Sequence, residues 1–246
     1  MLEPSYRETL AQWDVLLLQE THLRPGQEDQ IELPRGFQCM ALSREAASDF
    51  GSQGGGLFAI FRDTVPVINV TPTAESEIML LRVGDILLAN IYLPPASSPW
   101  VAHMQQCPVE HLLECLQPAL AHDVLVLLIG DFNARIGNRG AALPRLSPDE
   151  TMSTRGRALL QRCTDLSLQV VNGTTFQDAG TIGRRTSFQP GGSSVIDLAL
   201  VSSSLLRTDN SPAAISAFEV CEYAEGWSDH AALSLTLRVP DTLLLP

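Results

Sequence analysis

The stretch LLIGDFNARIG, residues 127–137, contains residue types and a spacing that could do chemistry. Apolar residues run from Val124 to Ile129, and the chain then passes Gly130 to reach Asp131, with Asn133 two places later. A carboxylate can bind a divalent cation, and a carboxamide can hold a water molecule or a phosphate oxygen. Side chains two places apart on a strand point to the same side, so the spacing predicts that Asp131 and Asn133 lie together.

Other polar groups stand at the ends of apolar segments or interrupt them. They are Gln19-Glu20, Tyr92, Asp197 within VIDLAL, and Ser228-Asp229-His230. An aspartate in an apolar strand is costly to bury unless it is paired or bound to a metal. A turn acid or a helix cap would explain any one of these groups. Their common chemistry, several carboxylates and one histidine, favours a shared site.

The elements that must position these side chains are mostly strands. Short β-rich segments bounded by turn residues predict strands at 14–20, 37–42, 56–63, 65–70, 76–83, 85–95, 124–130, 168–172, 185–189, 193–202 and 231–239. Helical spacing predicts helices at 108–122 and 151–165 and a short one in the first dozen residues. Many strands, few helices and no repeat predict one α/β domain of packed sheets over residues 1–240, with a tail at 241–246.

Composition limits where the protein works. Apolar residues make up 45% of the chain and charged residues 18%, which is typical of a globular protein. The longest apolar runs are far shorter than a membrane span, and the polar N-terminus does not resemble a signal peptide. Five scattered cysteines without a CxxC pair favour a reducing compartment. We therefore expect a soluble intracellular protein without a membrane partner, in either the nucleus or the cytoplasm.

The charge is strongly acidic, with a net value of −12, and all 16 basic residues are arginine. Such a balance argues against tight non-specific nucleic-acid binding, because phosphate affinity comes from cationic side chains. It does not exclude a nuclease, since carboxylates that hold a divalent metal are themselves negative. Arg184 and Arg185 form the only adjacent basic pair. They are the candidate contact to a DNA backbone, although a solvated loop pair is the default interpretation.

The polar groups also resemble a known family when they are read in order. The segments LLLQETHL, NIYLPP, GDFNARIG, SSVIDLAL and WSDHAALSL occur in the order and rough spacing of the endonuclease/exonuclease/phosphatase superfamily. Within it, QETHL, GGGLFAIF, GDFNA, VIDL and SDH are most similar to the endonuclease domain of non-LTR retrotransposons. The resemblance covers about residues 12–238 and implies a DNase I-like α/β fold, in which two packed β-sheets are flanked by helices as a four-layer sandwich.

The resemblance also implies roles for individual residues. Glu20 and Asp229 would hold Mg²⁺, for which Mn²⁺ could substitute. Asp131 would orient or deprotonate the attacking water, and Asn133 would hold that water or a phosphate oxygen.

Further roles follow from the same resemblance. His230 would contact the scissile phosphate with Asp197 as its partner, Tyr92 would donate its hydroxyl to the phosphate, and Ser228 would contact the substrate. DNA is the implied substrate, and a reverse transcriptase domain could belong to a longer parent protein.

One part of the family pattern is missing from the sequence. The family's first strand carries an asparagine before the QET glutamate, but the 19 residues before Glu20 contain no asparagine. We therefore expect an N-terminally truncated domain, with an unpaired strand edge or a gap where that central strand would lie.

Two alternatives to a DNA-nicking endonuclease remain open at this stage. One is a phosphatase or lipid phosphodiesterase on the same fold. The other is a truncated, catalytically inactive remnant that acts as an interaction module.

Overall fold

The computed structural model describes residues 8–43, 54–72, 77–103, 107–120, 124–141, 143–174, 182–206, 213–226 and 228–240. The strands in these stretches are β1 (Val15–Gln19), β2 (Phe37–Leu42), β3 (Leu57–Arg62), β4 (Val67–Asn69), β5 (Ile78–Val83), β6 (Ile86–Tyr92), β7 (Leu125–Asp131), β8 (Leu168–Val170), β9 (Ser187–Gln189), β10 (Gly192–Ser194), β11 (Asp197–Ser202), β12 (Ala214–Val220) and β13 (Leu233–Arg238). The α-helices are α1 (Pro99–His103), α2 (Pro108–Leu120) and α3 (Thr154–Asp165). None of the described helices combines the length and apolar character needed to cross a membrane.

A six-stranded sheet in the order β4-β5-β6-β7-β11-β8 forms the centre of the fold. β6 and β7 are parallel, and the other neighbouring strands are antiparallel. The segments ILLANIY and LVLLIGD, which form β6 and β7, are apolar and almost wholly buried. Both faces of these central strands are covered, which explains why their sequences do not alternate between apolar and polar residues.

One face of the central sheet is covered by α2 and α3. Val109, Leu112 and Leu116 of α2 pack into this core, together with Leu159 and Cys163 of α3. These spacings place the apolar side chains of each helix on one side. The helices therefore form the outer layer on this face, as the sequence predicts.

The opposite face is covered by two smaller antiparallel ladders, β1-β3-β2 and β12-β13. Apolar side chains from both ladders share one core with the central sheet, in which Leu125 and Leu127 of β7 are buried. A third cluster around Leu10, Phe58 and Ile60 covers the outer side of β3. The prediction of an α/β fold with packed sheets is confirmed.

The covering layer is divided between β1 and β13. Among the described residues, β1 pairs only with β3 and β13 pairs only with β12. β1 contacts β6 and β7, whereas β13 contacts β11. All five side chains of β1 are partly exposed, although four are apolar, while five of six are buried in β3. The described residues thus leave one edge of β1 without a strand partner.

The prediction of a single strand from SSVIDLALVS is wrong. β10 ends at Ser194 in a hairpin with β9, and β11 begins at Asp197 against β7. Between them, the hydroxyl oxygen of Thr186 accepts hydrogen bonds from the backbone N–H groups of Ile196 and Asp197, at 3.1 and 3.0 Å. The Thr186 side chain therefore replaces the strand-to-strand hydrogen bonds between the segment that pairs with β9 and the segment that pairs with β7.

Two elements, α1 and β12, were not predicted from the sequence. β12 contains an irregularity between Ile215 and Ala217, which interrupts the alternation that identifies a strand. α2 passes through Pro118 and ends two residues later. Residues 8–10 are helical, whereas the rest of the predicted first helix, the last two residues of the predicted helix 108–122 and the tail 241–246 lie outside the described residues. The extent of the domain, 1–240, stays a prediction.

Candidate active site

Three neighbouring strands of the central sheet bring the first polar side chains together. In the parallel ladder of β6 and β7, Tyr92 is the register partner of Asp131. In the antiparallel ladder of β7 and β11, Asp131 is the register partner of Asp197. All three residues are buried, with exposed fractions of 6%, 4% and 6% for Tyr92, Asp131 and Asp197. The predicted catalytic residues Tyr92, Asp131 and Asp197 thus lie in one row across the sheet.

Gly130 allows β6 and β7 to approach each other closely beside Asp131. Its φ is +143°, and a Cβ atom added there would lie 2.1 Å from the carbonyl oxygen of Ile91. Just past this contact, the backbone N–H of Leu93 donates to the carbonyl oxygen of Asp131 over 2.8 Å. A side chain at position 130 would push β6 away from β7 where the two strands deliver their polar groups.

Asn133 lies beside Asp131, but not through the strand alternation predicted from the sequence. β7 ends at Asp131, and Asn133 has a left-handed φ of +46° in the loop that follows. Its backbone N–H donates to Asp131 Oδ1 over 2.7 Å, and its side-chain Nδ2 donates to Asp131 Oδ2 over 2.8 Å. Nδ2 also donates to the carbonyl oxygen of Leu93 over 3.0 Å. A tight turn therefore sets the two groups side by side.

His230 is held by Asp197. Its Nδ1 lies 2.8 and 2.9 Å from the two carboxylate oxygens of Asp197, which favours a proton on Nδ1. The backbone N–H of His230 donates to the Ser228 hydroxyl over 3.0 Å, and residue 230 also forms an isolated bridge to Ser187. These contacts fix the imidazole ring and leave Nε2 without a hydrogen bond to any described residue.

The environment shifts the proton affinity of His230 and Asp131 upward. Burial alone lowers the pKa of His230, but the hydrogen bond and charge of Asp197 outweigh it and raise that pKa to about 9. Burial raises the pKa of Asp131 to about 8, with a further contribution from the negative charge of Asp197. The backbone N–H of Asn133 and the charge of His230 oppose this shift only in part. The buried row therefore disfavours a second negative charge beside that of Asp197.

Asp131, Asp197 and His230 form a group that could hold a divalent cation. One potential ligand atom from each lies within 4.8 Å of the others. Hard cations prefer carboxylate oxygens, and a cation would offset the burial and the repulsion by Asp197 that raise the pKa of Asp131. The donor set therefore fits such an ion, with one of its carboxylates, Asp197, already engaged by His230.

The structure places the predicted metal ligands Glu20 and Asp229 at the margin of this group. Glu20 follows β1 with a φ of +50°, and its charge contributes to the raised pKa of Asp131. Its carboxylate lies 3.7 Å from His22 Nε2. Asp229 is exposed, and its carboxylate accepts a hydrogen bond from the Gln189 side chain. Neither belongs to the three-residue group, although the charges of both act on it.

The predicted DNA contacts Arg184 and Arg185 are engaged with the protein itself. Arg184 Nη1 donates to the carbonyl oxygen of Val220 over 2.9 Å. Arg185 donates to the carbonyl oxygens of Ser193 and Pro148, over 2.5 and 2.9 Å. Both arginines line a cavity of about 540 Å³. Their guanidinium groups are therefore oriented by carbonyls, in contrast to the freely solvated loop pair considered from the sequence.

An aromatic pair in the same cavity connects it to the candidate site. Phe188 and Tyr223 are stacked with ring centroids 4.1 Å apart, and both line the cavity. The backbone N–H of Phe188 donates to the carbonyl oxygen of Asp229 over 2.7 Å. The cavity thus adjoins the segment that carries Ser228 and His230.

Thr186 is a positioning residue that the sequence analysis missed. It is fully buried, its hydroxyl oxygen binds the N–H of Asp197, and its carbonyl oxygen accepts from the N–H of Ala231, next to His230. It therefore holds both members of the His230–Asp197 pair. No feature of RTSFQ other than a β-rich composition distinguishes this threonine in the sequence.

Comparison with known proteins places this geometry in a family context. A model of the endonuclease/exonuclease/phosphatase family matches residues 5–230. No curated protein matches the chain in sequence.

Several solved structures share the fold at low sequence identity. The 3′-5′ exonuclease NExo from Neisseria meningitidis has 20% identity and a TM-score of 0.66, covering 95% of this chain and 93% of its own. A second NExo structure, described as a 3′ phosphatase bound to a product DNA hairpin, has 20% identity and a TM-score of 0.65, covering 96% of this chain and 93% of its own. The endonuclease domain of TRAS1, a telomere-specific non-LTR retrotransposon, has 17% identity and a TM-score of 0.58, covering 96% and 90%. These similarities concern the fold.

Proposed function

Since this chain belongs to the endonuclease/exonuclease/phosphatase family, we propose that it is a Mg²⁺-dependent phosphodiester hydrolase that nicks DNA, of the retrotransposon-endonuclease kind. The observation that carries the proposal is the buried row of Tyr92, Asp131 and Asp197, with His230 fixed on Asp197. Burying carboxylates without a compensating cation costs free energy, and carboxyl groups with perturbed pKa values are typical of functional sites.

The side chains around Asp131 can position an attacking water. Asn133 donates to Asp131 through both its backbone and its amide, which fixes the carboxylate that orients or deprotonates the water. The Asn133 amide oxygen remains to hold that water or a phosphate oxygen. Tyr92, in register with Asp131, supplies a phenolic hydroxyl to the phosphate.

His230 stabilises negative charge on the phosphate as the leaving oxygen departs. Because its pKa is raised to about 9, the ring is cationic at neutral pH. Asp197 holds Nδ1, so Nε2 is the nitrogen that faces a ligand. The contribution of His230 is thus electrostatic and positional, as hydrolysis without a covalent intermediate requires. Ser228, whose hydroxyl binds the His230 backbone, is proposed to contact the same substrate strand.

Asp131 and Glu20 would hold the Mg²⁺, with Asp229 as a further ligand or a residue that orients one. Carboxylate oxygens suit Mg²⁺, and Mn²⁺ accepts the same ligands. When bound, the cation supplies Lewis-acid stabilisation of the phosphate oxygens and lowers the pKa of a bound water.

A second candidate is hydrolysis of a phosphate at a DNA 3′ end. It is favoured by the similarity to NExo, which one solved structure names a 3′-5′ exonuclease and another a 3′ phosphatase bound to a product DNA hairpin. The same row of residues would serve this reaction, because the attacked phosphorus needs the same charge stabilisation.

The test is a panel of substrates offered to the purified chain with Mg²⁺ and with EDTA. The panel comprises supercoiled plasmid, an oligonucleotide with a 3′ phosphate, an inositol polyphosphate and sphingomyelin. Mg²⁺-dependent conversion of plasmid to the open circle supports the nicking endonuclease. Release of 3′ phosphate alone would select the second candidate, and turnover of the inositol or lipid substrate alone would contradict both. A folded chain that acts on none of them is an inactive relative.

A further inference from the structure

Arg155 places a cation beside the candidate active site from an element that carries no predicted site residue. It lies in the first turn of α3, which begins after Ser153, whose hydroxyl oxygen accepts from the N–H of Gly156 over 2.9 Å. A Cβ atom at Gly156 would lie 1.9 Å from the carbonyl oxygen of Arg135, so only glycine allows the helix to start so close to the loop after β7. This close approach brings Arg155 to the loop that holds Asn133.

The guanidinium group of Arg155 reaches the backbone one residue past the polar row on two neighbouring strands. Its Nη1 lies 3.5 Å from the carbonyl oxygen of Leu93 and 3.5 Å from that of Phe132. Leu93 follows Tyr92, and its carbonyl oxygen also accepts a hydrogen bond from the side-chain amide of Asn133. Phe132 lies between Asp131 and Asn133 in the sequence. The cation is therefore in position to meet a group bound between Tyr92 and Asn133.

Most of the hydrogen-bonding capacity of Arg155 is unused in the described structure. Both contacts use Nη1 and lie at the outer limit of hydrogen-bond distance. The other two guanidinium nitrogens make no hydrogen bond or ion pair with a described residue. Arg135, by contrast, forms a bidentate pair with Asp149, and Arg162 pairs with Glu110. Arg155 thus retains the planar pair of donors that matches a phosphate.

Arg155 interacts electrostatically with residues of the candidate site. Burial lowers its pKa, while coulombic interactions with Cys107, Asp131 and Tyr92 oppose that shift. A guanidinium group is cationic at neutral pH. A nucleic-acid strand that approaches Asp197 and Glu20 is repelled by their charges. A cation held near this row lowers the repulsion where the strand must lie.

We propose that Arg155 binds a phosphate oxygen of the substrate strand next to Tyr92 and Asn133. The inference rests on the proposed DNA-cleaving function and adds a substrate-binding residue to it. Its long contacts to Leu93 and Phe132 orient the guanidinium group but use only one of its three nitrogens. A bound phosphate would therefore meet N–H donors that are already oriented.

The test is DNA binding and cleavage by wild type, Arg155→Gln and Arg155→Lys, with Arg157→Gln as the matched control on the same helix. Arg157 is exposed and makes no ion pair with a described residue. Binding of a fluorescent duplex is measured in EDTA, where Mg²⁺-dependent cleavage is absent, over a range of salt concentrations. Loss of one phosphate contact reduces the slope of log Kd against log salt by about 1.

We expect Arg155→Gln to weaken binding, with that reduced slope, and to raise KM in Mg²⁺ about tenfold. Arg155→Lys keeps the charge, so its salt slope should return part of the way to the wild-type value. Its KM should stay close to that of Arg155→Gln, since lysine lacks the planar donor pair. Arg157→Gln should match wild type. A purely structural role would lower kcat and leave the salt slope unchanged.

Two outcomes overturn the inference and remain distinguishable. If wild type cleaves DNA and Arg155→Gln, shown to be folded, has the wild-type slope and KM, then Arg155 does not bind the strand although the proposed function stands. If folded wild type neither binds nor cleaves DNA, the proposed function fails and the inference fails with it. Should Arg155→Gln not fold, the comparison of Arg155→Lys with wild type decides, because a lysine with wild-type slope and KM excludes bidentate phosphate binding.

Discussion

Asp131 and Asp197 are directly opposed across the antiparallel ladder of β7 and β11, and both carboxylates are buried. Like charges at opposed positions of a sheet destabilise it. His230 offsets part of this cost through two short contacts to Asp197. Among the described residues, no cationic side chain forms a hydrogen bond or ion pair with Asp131. The pair therefore lowers the stability of the sheet at the position where the candidate site lies.

The His230–Asp197 contact makes stability depend on pH in a defined direction. The pKa of His230 is raised from 6.5 to about 9, so the pair stabilises the folded state fully below about pH 6.5 and loses this contribution as pH rises through about 9. We expect His230→Asn to lower the free energy of unfolding more at about pH 6 than at about pH 10, with the difference reaching about 3 kcal/mol. Denaturant titrations of both proteins at both pH values measure it, and an equal cost at both would contradict the assignment.

Cation binding should release a proton. Burial and the charge of Asp197 raise the pKa of Asp131 to about 8, so this carboxyl is mostly protonated near pH 7. A divalent cation binds the ionised form, so we expect Mg²⁺ binding to release up to about one proton per ion. Calorimetry in two buffers with different ionisation enthalpies measures this number. Asp131→Asn should abolish the release, and binding to wild type without any release would show that Asp131 does not accept the ion.

Gly130 should tolerate no side chain. Alanine there would meet the Ile91 carbonyl oxygen at 2.1 Å and would hold a φ of +143°, so Gly130→Ala should cost roughly 2 kcal/mol or more. Gly191→Ala is the matched control, because a Cβ atom there meets nothing within 4 Å. Thermal unfolding of the two variants compares them. Equal melting temperatures would mean that β6 and β7 are not held as closely as described.

The hydroxyl of Thr186 should set the pKa of His230 from a distance. Thr186→Val keeps the volume but removes the acceptor for the N–H groups of Ile196 and Asp197, at a cost of about 1–3 kcal/mol. As Asp197 shifts, we expect the pKa of His230 to fall, as measured by NMR titration of its ring protons. Thr186→Ser retains the oxygen and should leave the titration near wild type. A valine variant that titrates like wild type would refute this positioning role.

Much of the fold could be predicted from the sequence because the central strands are long apolar runs between turn residues. GDFNARIG and VIDLAL also mark the strand ends that carry Asp131 and Asp197. What the local pattern could not give is the pairing between strands. The register that sets Tyr92, Asp131 and Asp197 in one row depends on contacts between segments far apart in the chain.

Other errors came from short-range geometry that alternation rules do not describe. Asn133 reaches Asp131 through a left-handed turn, and SSVIDLALVS breaks where Thr186 binds its backbone. Arg155 was missed because its helix has an ordinary amphipathic pattern, and only the close approach at Gly156 brings it to the site. Such features depend on tertiary packing, which one sequence read locally does not reveal.

The central claim is that the buried row around Asp131 cleaves phosphodiesters, and the most direct measurement is nicking of supercoiled plasmid. Wild type would be compared with Asp131→Asn in Mg²⁺ and in EDTA, with Asp165→Asn, on the exposed end of α3, as the control for purification and fold. We predict Mg²⁺-dependent nicking by wild type and Asp165→Asn, reduced at least 100-fold in Asp131→Asn, an effect on the order of 3 kcal/mol in the barrier. Equal nicking by folded Asp131→Asn and wild type would contradict the claim.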